Sequence, residues 1–230
     1  MHAYVKQGTG TTTIIFLHGW PGDASRWECV ARRMPDDCTT YCLDLPGWGK
    51  TPLTRAYTLS DYERELEAFI AEKGIERPVI VGHSFGGRVA IKFALRRPER
   101  VSKLILVASA GIEHKSWLTR VSASLSPFVP QAIRRRLLRF VASSDYLAAD
   151  GVKRETLKAI VAENLEPDLH RIAVPTLLIW GDADHTTPLE HGRTMEREIP
   201  GARLTVIPGG DHGIPYRRCD EVVSAIAACL

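Results

Sequence analysis

The run Val79-Ile80-Val81-Gly82-His83-Ser84-Phe85-Gly86-Gly87 constrains this chain most. Pro78 opens a β-branched apolar stretch that ends in Gly-x-Ser-x-Gly. Val89, Ala90, Phe93 and Ala94 then follow at helical spacing. Strand, sharp turn and helix in that order predict a serine at the tip of a strained turn, projecting above a sheet edge. Gly82 and Gly86 have a steric reason, since a Cβ at either would hold strand and helix apart. Ser84 is therefore a candidate nucleophile, set against the plainer reading of a serine in a tight turn.

Strands alternate with helices on both sides of this run. Strands are expected over His2–Lys6, Thr12–Leu17, Thr39–Leu43 and Lys103–Ala108, with helices over Ser25–Arg33 and from Ser60 to Lys73. Ser60 and Glu63 read as a capping box for the second helix. From Gly111 to about His170 the strand pattern stops. Trp117–Leu125, Gln131–Val141 and Val152–Asn164 read there as helices, separated by Pro127, Pro130 and Asp150-Gly151. Alternation resumes with the strand Thr176–Trp180, the helix Leu189–Glu198, the strand Arg203–Ile207 and the helix Asp220–Ala228. The pattern predicts a mostly parallel, doubly wound α/β sheet in a single domain over residues 1–230, with a helical cap over 111–165.

Composition narrows the function classes. With 44% hydrophobic and 25% charged residues in a chain of 230, a globular domain is expected. A net charge of +3 is too small to point to nucleic acid or a membrane surface, and Arg134-Arg135-Arg136 with Arg139 reads as a solvated helix face. No signal peptide or long apolar span is visible. Cys29, Cys38, Cys42, Cys219 and Cys229 are scattered, odd in number and outside any Cys-x-x-Cys pair. They read as buried small residues of a reduced, cytoplasmic protein, with neither zinc nor a disulfide framework.

Ligands of open α/β sheets bind beyond the carboxyl ends of the strands. The polar residues just after each expected strand are His18, Asp44, Ser84, Ser109, Asp182 with Asp184, and Asp211 with His212. A hydroxyl is a poor nucleophile until a base takes its proton. An imidazole suits that task, and a carboxylate fixes its tautomer. Ser84, then Asp182 or Asp184, then His212 supply these parts in the chain order Ser, Asp, His. Asp211 reads as structural, Asp44 as a tie for the Pro46-Gly47 turn, and His83 as packing beneath the serine turn.

These motifs resemble those of the α/β-hydrolase superfamily, in its lid-bearing, carboxylesterase-like branch of serine hydrolases. His18 to Gly22 resembles the oxyanion loop and Leu43 to Gly49 the family's LDLPGxG turn. Gly82 to Gly87 resembles the nucleophile elbow, Gly181 to Asp184 before Pro188 the acid loop, and Gly209 to His212 the histidine loop. The resemblance implies an α/β-hydrolase fold with a short cap between its sixth-type and seventh-type strands and a reduced N-terminal hairpin. It implies Ser84, Asp184 and His212 as catalytic residues, with Asp184 preferred to Asp182 by the family spacing. The backbone N–H groups of Trp20 and Phe85 would form the oxyanion hole, and Trp20, Phe85 and Trp117 would contact substrate. The expected activity is hydrolysis of a small-molecule ester with an apolar part, needing no cofactor and no metal. C–C hydrolase, thioesterase, lactonase and lipase remain open on the same triad, as does a receptor or scaffold of this fold with little turnover. Two departures stand out: Trp48 replaces a histidine of the family turn, and no aromatic follows His212 as it often does in C–C hydrolases.

Overall fold

The computed structural model describes residues 2–112 and 151–230. Seven strands form one sheet: β1 (Tyr4–Gln7), β2 (Thr12–Leu17), β3 (Cys38–Leu43), β4 (Val79–His83), β5 (Lys103–Val107), β6 (Thr176–Gly181) and β7 (Arg203–Ile207). Their order across the sheet is β1-β3-β2-β4-β5-β6-β7. Only β1 runs antiparallel, paired with β3 from Tyr4 opposite Leu43 to Gln7 opposite Thr40. All other neighbours are parallel.

Apolar residues cover both faces of the sheet, as parallel strands require. Ile15, Leu17, Ile80, Leu104, Leu106, Leu178 and Trp180 face one layer of core. Their alternate neighbours Ile14, Phe16, Val79, Val81, Ile105, Val107, Leu177 and Ile179 face the other. On the first side lie α2 (Leu59–Glu72), α3 (Phe85–Arg96) and α5 (Leu189–Glu198). On the second lie α1 (Glu28–Ala31) and α7 (Cys219–Ala227), next to the short α6 (Ile214–Arg217). The side-chain period of two thus sorts each strand's residues between two helical layers.

Two local expectations are corrected. The helix expected over Ser25–Arg33 is a 3-10 turn, Ala24–Trp27, followed by the four residues of α1. The capping box of α2 uses Thr58 and Asp61, not Ser60 and Glu63: the Thr58 hydroxyl accepts from Asp61 N and the Asp61 carboxylate from Thr58 N. Asp61 also accepts from Arg55 and Arg64, so it is held ionised where Glu63 is buried near Arg96. Of the three helices expected after Gly111, only the last lies within the described residues, as α4 (Gly151–Ala162). Trp117–Leu125 and Gln131–Val141, with Trp117 itself, lie outside them. No helix among the described residues is long and apolar enough to cross a membrane.

The cysteine reading is also corrected. Cys29 in α1 and Cys219 at the start of α7 form a disulfide, with Cα atoms 6.2 Å apart and a sequence separation of 190. Arg33 lies against both sulfurs. A cytoplasmic placement drawn from five reduced cysteines loses that support, because disulfides persist mainly in oxidising compartments. Cys38 and Cys42 remain free and buried, and burial pushes their thiols up to about 11 and about 12.

Closing so long a loop restricts the unfolded chain, so reduction or a Cys29→Ser change is expected to cost about 2–4 kcal/mol of stability. Urea unfolding with and without a dithiol reductant measures this. Equal midpoints would show that the bond contributes nothing.

Candidate active site

The carboxyl ends of β2, β4, β6 and β7 open onto one cavity of about 590 Å³, lined among others by Trp20, Ser84, Phe85 and His212. Ser84 sits between β4 and α3 with φ 51° and ψ −112°, a region that a side chain rarely enters. Such a conformation costs roughly 1–3 kcal/mol and persists only where the surroundings enforce it. Here they do. Ser84 N donates to Val107 O at 3.2 Å, while Ser84 O accepts from Gly87, Arg88 and Ala110 N at 3.0, 3.3 and 3.1 Å. A Cβ on Gly82 would fall 2.5 Å from Gly86 O, and one on Gly86 would meet the carbonyls of Leu17 and His18. The helix can approach the sheet this closely only with glycine at both places.

His212 follows β7. Its Nδ1 donates to Asp184 Oδ2 at 2.8 Å, leaving Nε2 as an acceptor. Asp184, 3% exposed, accepts on every side. Thr186 N and Thr187 N reach Oδ1 at 2.8 and 2.9 Å, and the Thr187 hydroxyl reaches Oδ2 at 2.8 Å. Burial works to raise the Asp184 carboxyl, but the bonds from His212 and Thr187 outweigh it and leave it below the ordinary value. Asp182 turns elsewhere and accepts from Gly209 N at 2.6 Å, tying the acid loop to the histidine loop. Asp211 accepts from Gly213 N at 2.8 Å and pairs with Arg217.

Phe85 N, at the first position of α3, has no partner within the helix. His18 Nδ1 donates to Gly19 O at 2.8 Å, and its Nε2 accepts from Leu45 N at 3.0 Å. Burial lowers the His18 pKa, so a neutral imidazole clips the loop bearing Trp20 to the turn after β3. Asp44 clips the same region: Oδ1 accepts from Ala24 N and Oδ2 from Lys50 N, both at 2.8 Å. It therefore holds the far end of its turn and the 3-10 turn, not Pro46-Gly47 as expected. The Trp20 ring meets Phe85 edge-on at 5.7 Å and Trp48 at 4.7 Å. The unusual Trp48 is thus a brace for Trp20, and Lys153 of α4 lies 4.2 Å over its ring.

Two neighbours of the histidine went unforeseen. The Thr187 hydroxyl lies 3.2 Å from His212 Nδ1 and 3.0 Å from Ala108 O, so it joins Asp184, His212 and the residue after β5. His83 does more than pack: its Nε2 donates to His212 O at 2.8 Å, with the rings 4.8 Å apart. Neither contact carries a local signal, because the partners are 25 and 129 residues apart.

Burial, then repulsion from His212, lowers the His83 pKa from 6.5 to about 3. The neutral form is the folded form. Its contribution is full above pH 6.5 and fades as pH falls toward 3, because the unfolded chain takes up the proton first. One such proton corresponds to a slope of about 1.4 kcal/mol per pH unit. His83→Gln is expected to flatten the acid limb of urea-derived stability over this window. An unaltered limb would mean that His83 is not buried neutral.

The comparisons with known proteins fit this arrangement. The chain is 27% identical to a pimeloyl-[acyl-carrier protein] methyl ester esterase of Yersinia enterocolitica, over 95% of this chain and 93% of that one. It is 27% identical to the uncharacterized hydrolase YugF of Bacillus subtilis, over 96% and 90%. Among solved structures it resembles an alpha/beta hydrolase enzyme from the metagenome of Mar Chica lagoon sediments, with TM-score 0.74 and 26% identity over 99% of this chain and 94% of that one. The model of the alpha/beta hydrolase family matches residues 14–225, and this chain belongs to that family of hydrolases.

Proposed function

We propose that the chain hydrolyses carboxylic esters through an acyl-enzyme formed on Ser84. One observation carries this reading. Ser84 stands at a strained turn in the same cavity as His212, whose Nδ1 is committed to the Asp184 carboxylate. His212 Nε2 takes the Ser84 proton as Oγ attacks the acyl carbon. The same nitrogen returns it to the leaving alcohol, then activates the water that releases the acid. Asp184 and the Thr187 hydroxyl hold the imidazole. The N–H groups of Trp20 and Phe85 receive the oxyanion, and losing one such donor costs about 3 kcal/mol. Residues 111–165 act as a cap: Leu157, Ile160 and Val161 line the cavity and give it an apolar wall. The relative named as a methyl ester esterase supports an ester over the other acyl substrates. Enzymes of this fold that open epoxides or displace halide use an aspartate where Ser84 stands.

A fluorophosphonate probe is expected to label the wild type and not Ser84→Ala, which should also lose turnover of a 4-nitrophenyl ester. Labelling that survives in Ser84→Ala would falsify the nucleophile.

The two acids are expected to separate cleanly. Asp184→Asn should lower kcat by about 10³- to 10⁴-fold, because the histidine then takes the wrong tautomer. Asp182→Asn should cost roughly 1 kcal/mol of stability and little activity, because one loop bond is lost. Paired kinetics and melting curves decide, and the reverse pattern assigns the acid to Asp182.

A further inference from the structure

The cavity contains a buried positive charge that the hydrolytic steps leave unused. Arg88 projects from α3 one turn beyond Ser84, which places it about 6 Å further along the axis. It is 7% exposed and lines the same cavity. Its Nη2 meets the carbonyls of Ile160, at 2.7 Å, and of Glu163, at the end of α4. Among the described residues its Nε is buried without a partner. Glu163 is, among the described residues, the acid whose charge acts on Arg88, and it is ion-paired with Lys92. Two cations therefore share one carboxylate. Among the described residues that line the cavity none is acidic, whereas Arg26, stacked 4.9 Å over the Tyr216 ring, adds a second cation.

Tying a helix end to α3 needs only a neutral donor. A buried guanidinium is an expensive choice for it unless an anion completes the charge. Planar and forked, it fits a carboxylate better than any other common group.

We propose that the preferred ester carries a free carboxylate on its acyl side, a half-ester of a short dicarboxylic acid, and that Arg88 holds that carboxylate while Ser84 attacks the other end. This rests on the ester-hydrolase reading. Arg26 adds to the field that draws the anion in. The apolar wall from α4 covers the methylene chain between the two ends.

The test compares 4-nitrophenyl hydrogen adipate with its neutral methyl-capped analogue, using the whole chain and subtracting spontaneous hydrolysis. The ratio of kcat/KM, acid over neutral, is expected to be about tenfold or more in the wild type, the worth of one charge-assisted hydrogen bond. Arg88→Met should bring the ratio close to one, chiefly through KM, and Arg88→Lys should restore part of it. Looser docking of α4 in these variants slows both esters alike and so leaves the ratio standing. If Arg88→Met does not fold, Arg26→Met and added salt should each still lower the ratio. A wild-type ratio of one or less, or a ratio that Arg88→Met leaves unchanged, overturns the carboxylate site while ester hydrolysis stands. If the folded wild type cleaves neither ester, the hydrolytic reading itself fails, and the carboxylate site with it.

Discussion

The close backbone approach of α3 to the ends of β2 and β4 sets what stands around it. Gly86 lies against the carbonyls of Leu17 and His18, and Gly82 against Gly86 itself. That contact forces Ser84 into its positive-φ turn. It also brings the first N–H of α3 beside the loop that carries Trp20, and aims Arg88 into the same cavity. Candidate nucleophile, candidate oxyanion donor and buried cation are three consequences of one close packing. A methyl group at either glycine would displace all three together, although neither glycine has a side chain to do chemistry.

The second constraint is a junction of loops. The acid and histidine loops are sewn together by Ala183 N to Gly210 O at 2.9 Å and by Gly209 N to Asp182. This seam is what lets His212 reach Asp184 across two neighbouring parallel strands. Thr187 extends it to the residue after β5 and His83 extends it to β4. The histidine is thus held through its ring nitrogen, its own carbonyl and its loop, so its orientation does not depend on any single bond.

The sheet and its loop motifs were legible in sequence because their signals are local: apolar runs, glycines at turns and an ordered Ser, Asp, His. What was misread depends on contacts that the chain makes far from itself. Two overlapping frames, Thr58 to Asp61 and Ser60 to Glu63, both spell a cap, and only Arg55, Arg64 and the burial of Glu63 choose between them. Cys29 and Cys219 meet because the sheet order places α1 beside α7, which no spacing rule encodes. Thr187 and Arg88 belong to no motif that the sequence spells. Their importance comes from what the fold puts next to them.

The stem of the excursion after β5 is pinched where Leu165 N donates to Gly111 O at 3.0 Å. Below it, β5 and β6 pair from Leu104 opposite Thr176 to Val107 opposite Ile179. The sheet therefore does not register how much chain lies between the two sides of the pinch. For a flexible loop, doubling its length adds only about 0.6 kcal/mol of closure entropy. Insertions, deletions and wholesale replacement there are cheap for the scaffold, and with the proposed cap each one would reshape the space above Ser84. Evolution and protein engineers alike are free to exchange this segment as a module without refolding the sheet, and with the proposed cap such an exchange would change what the enzyme accepts.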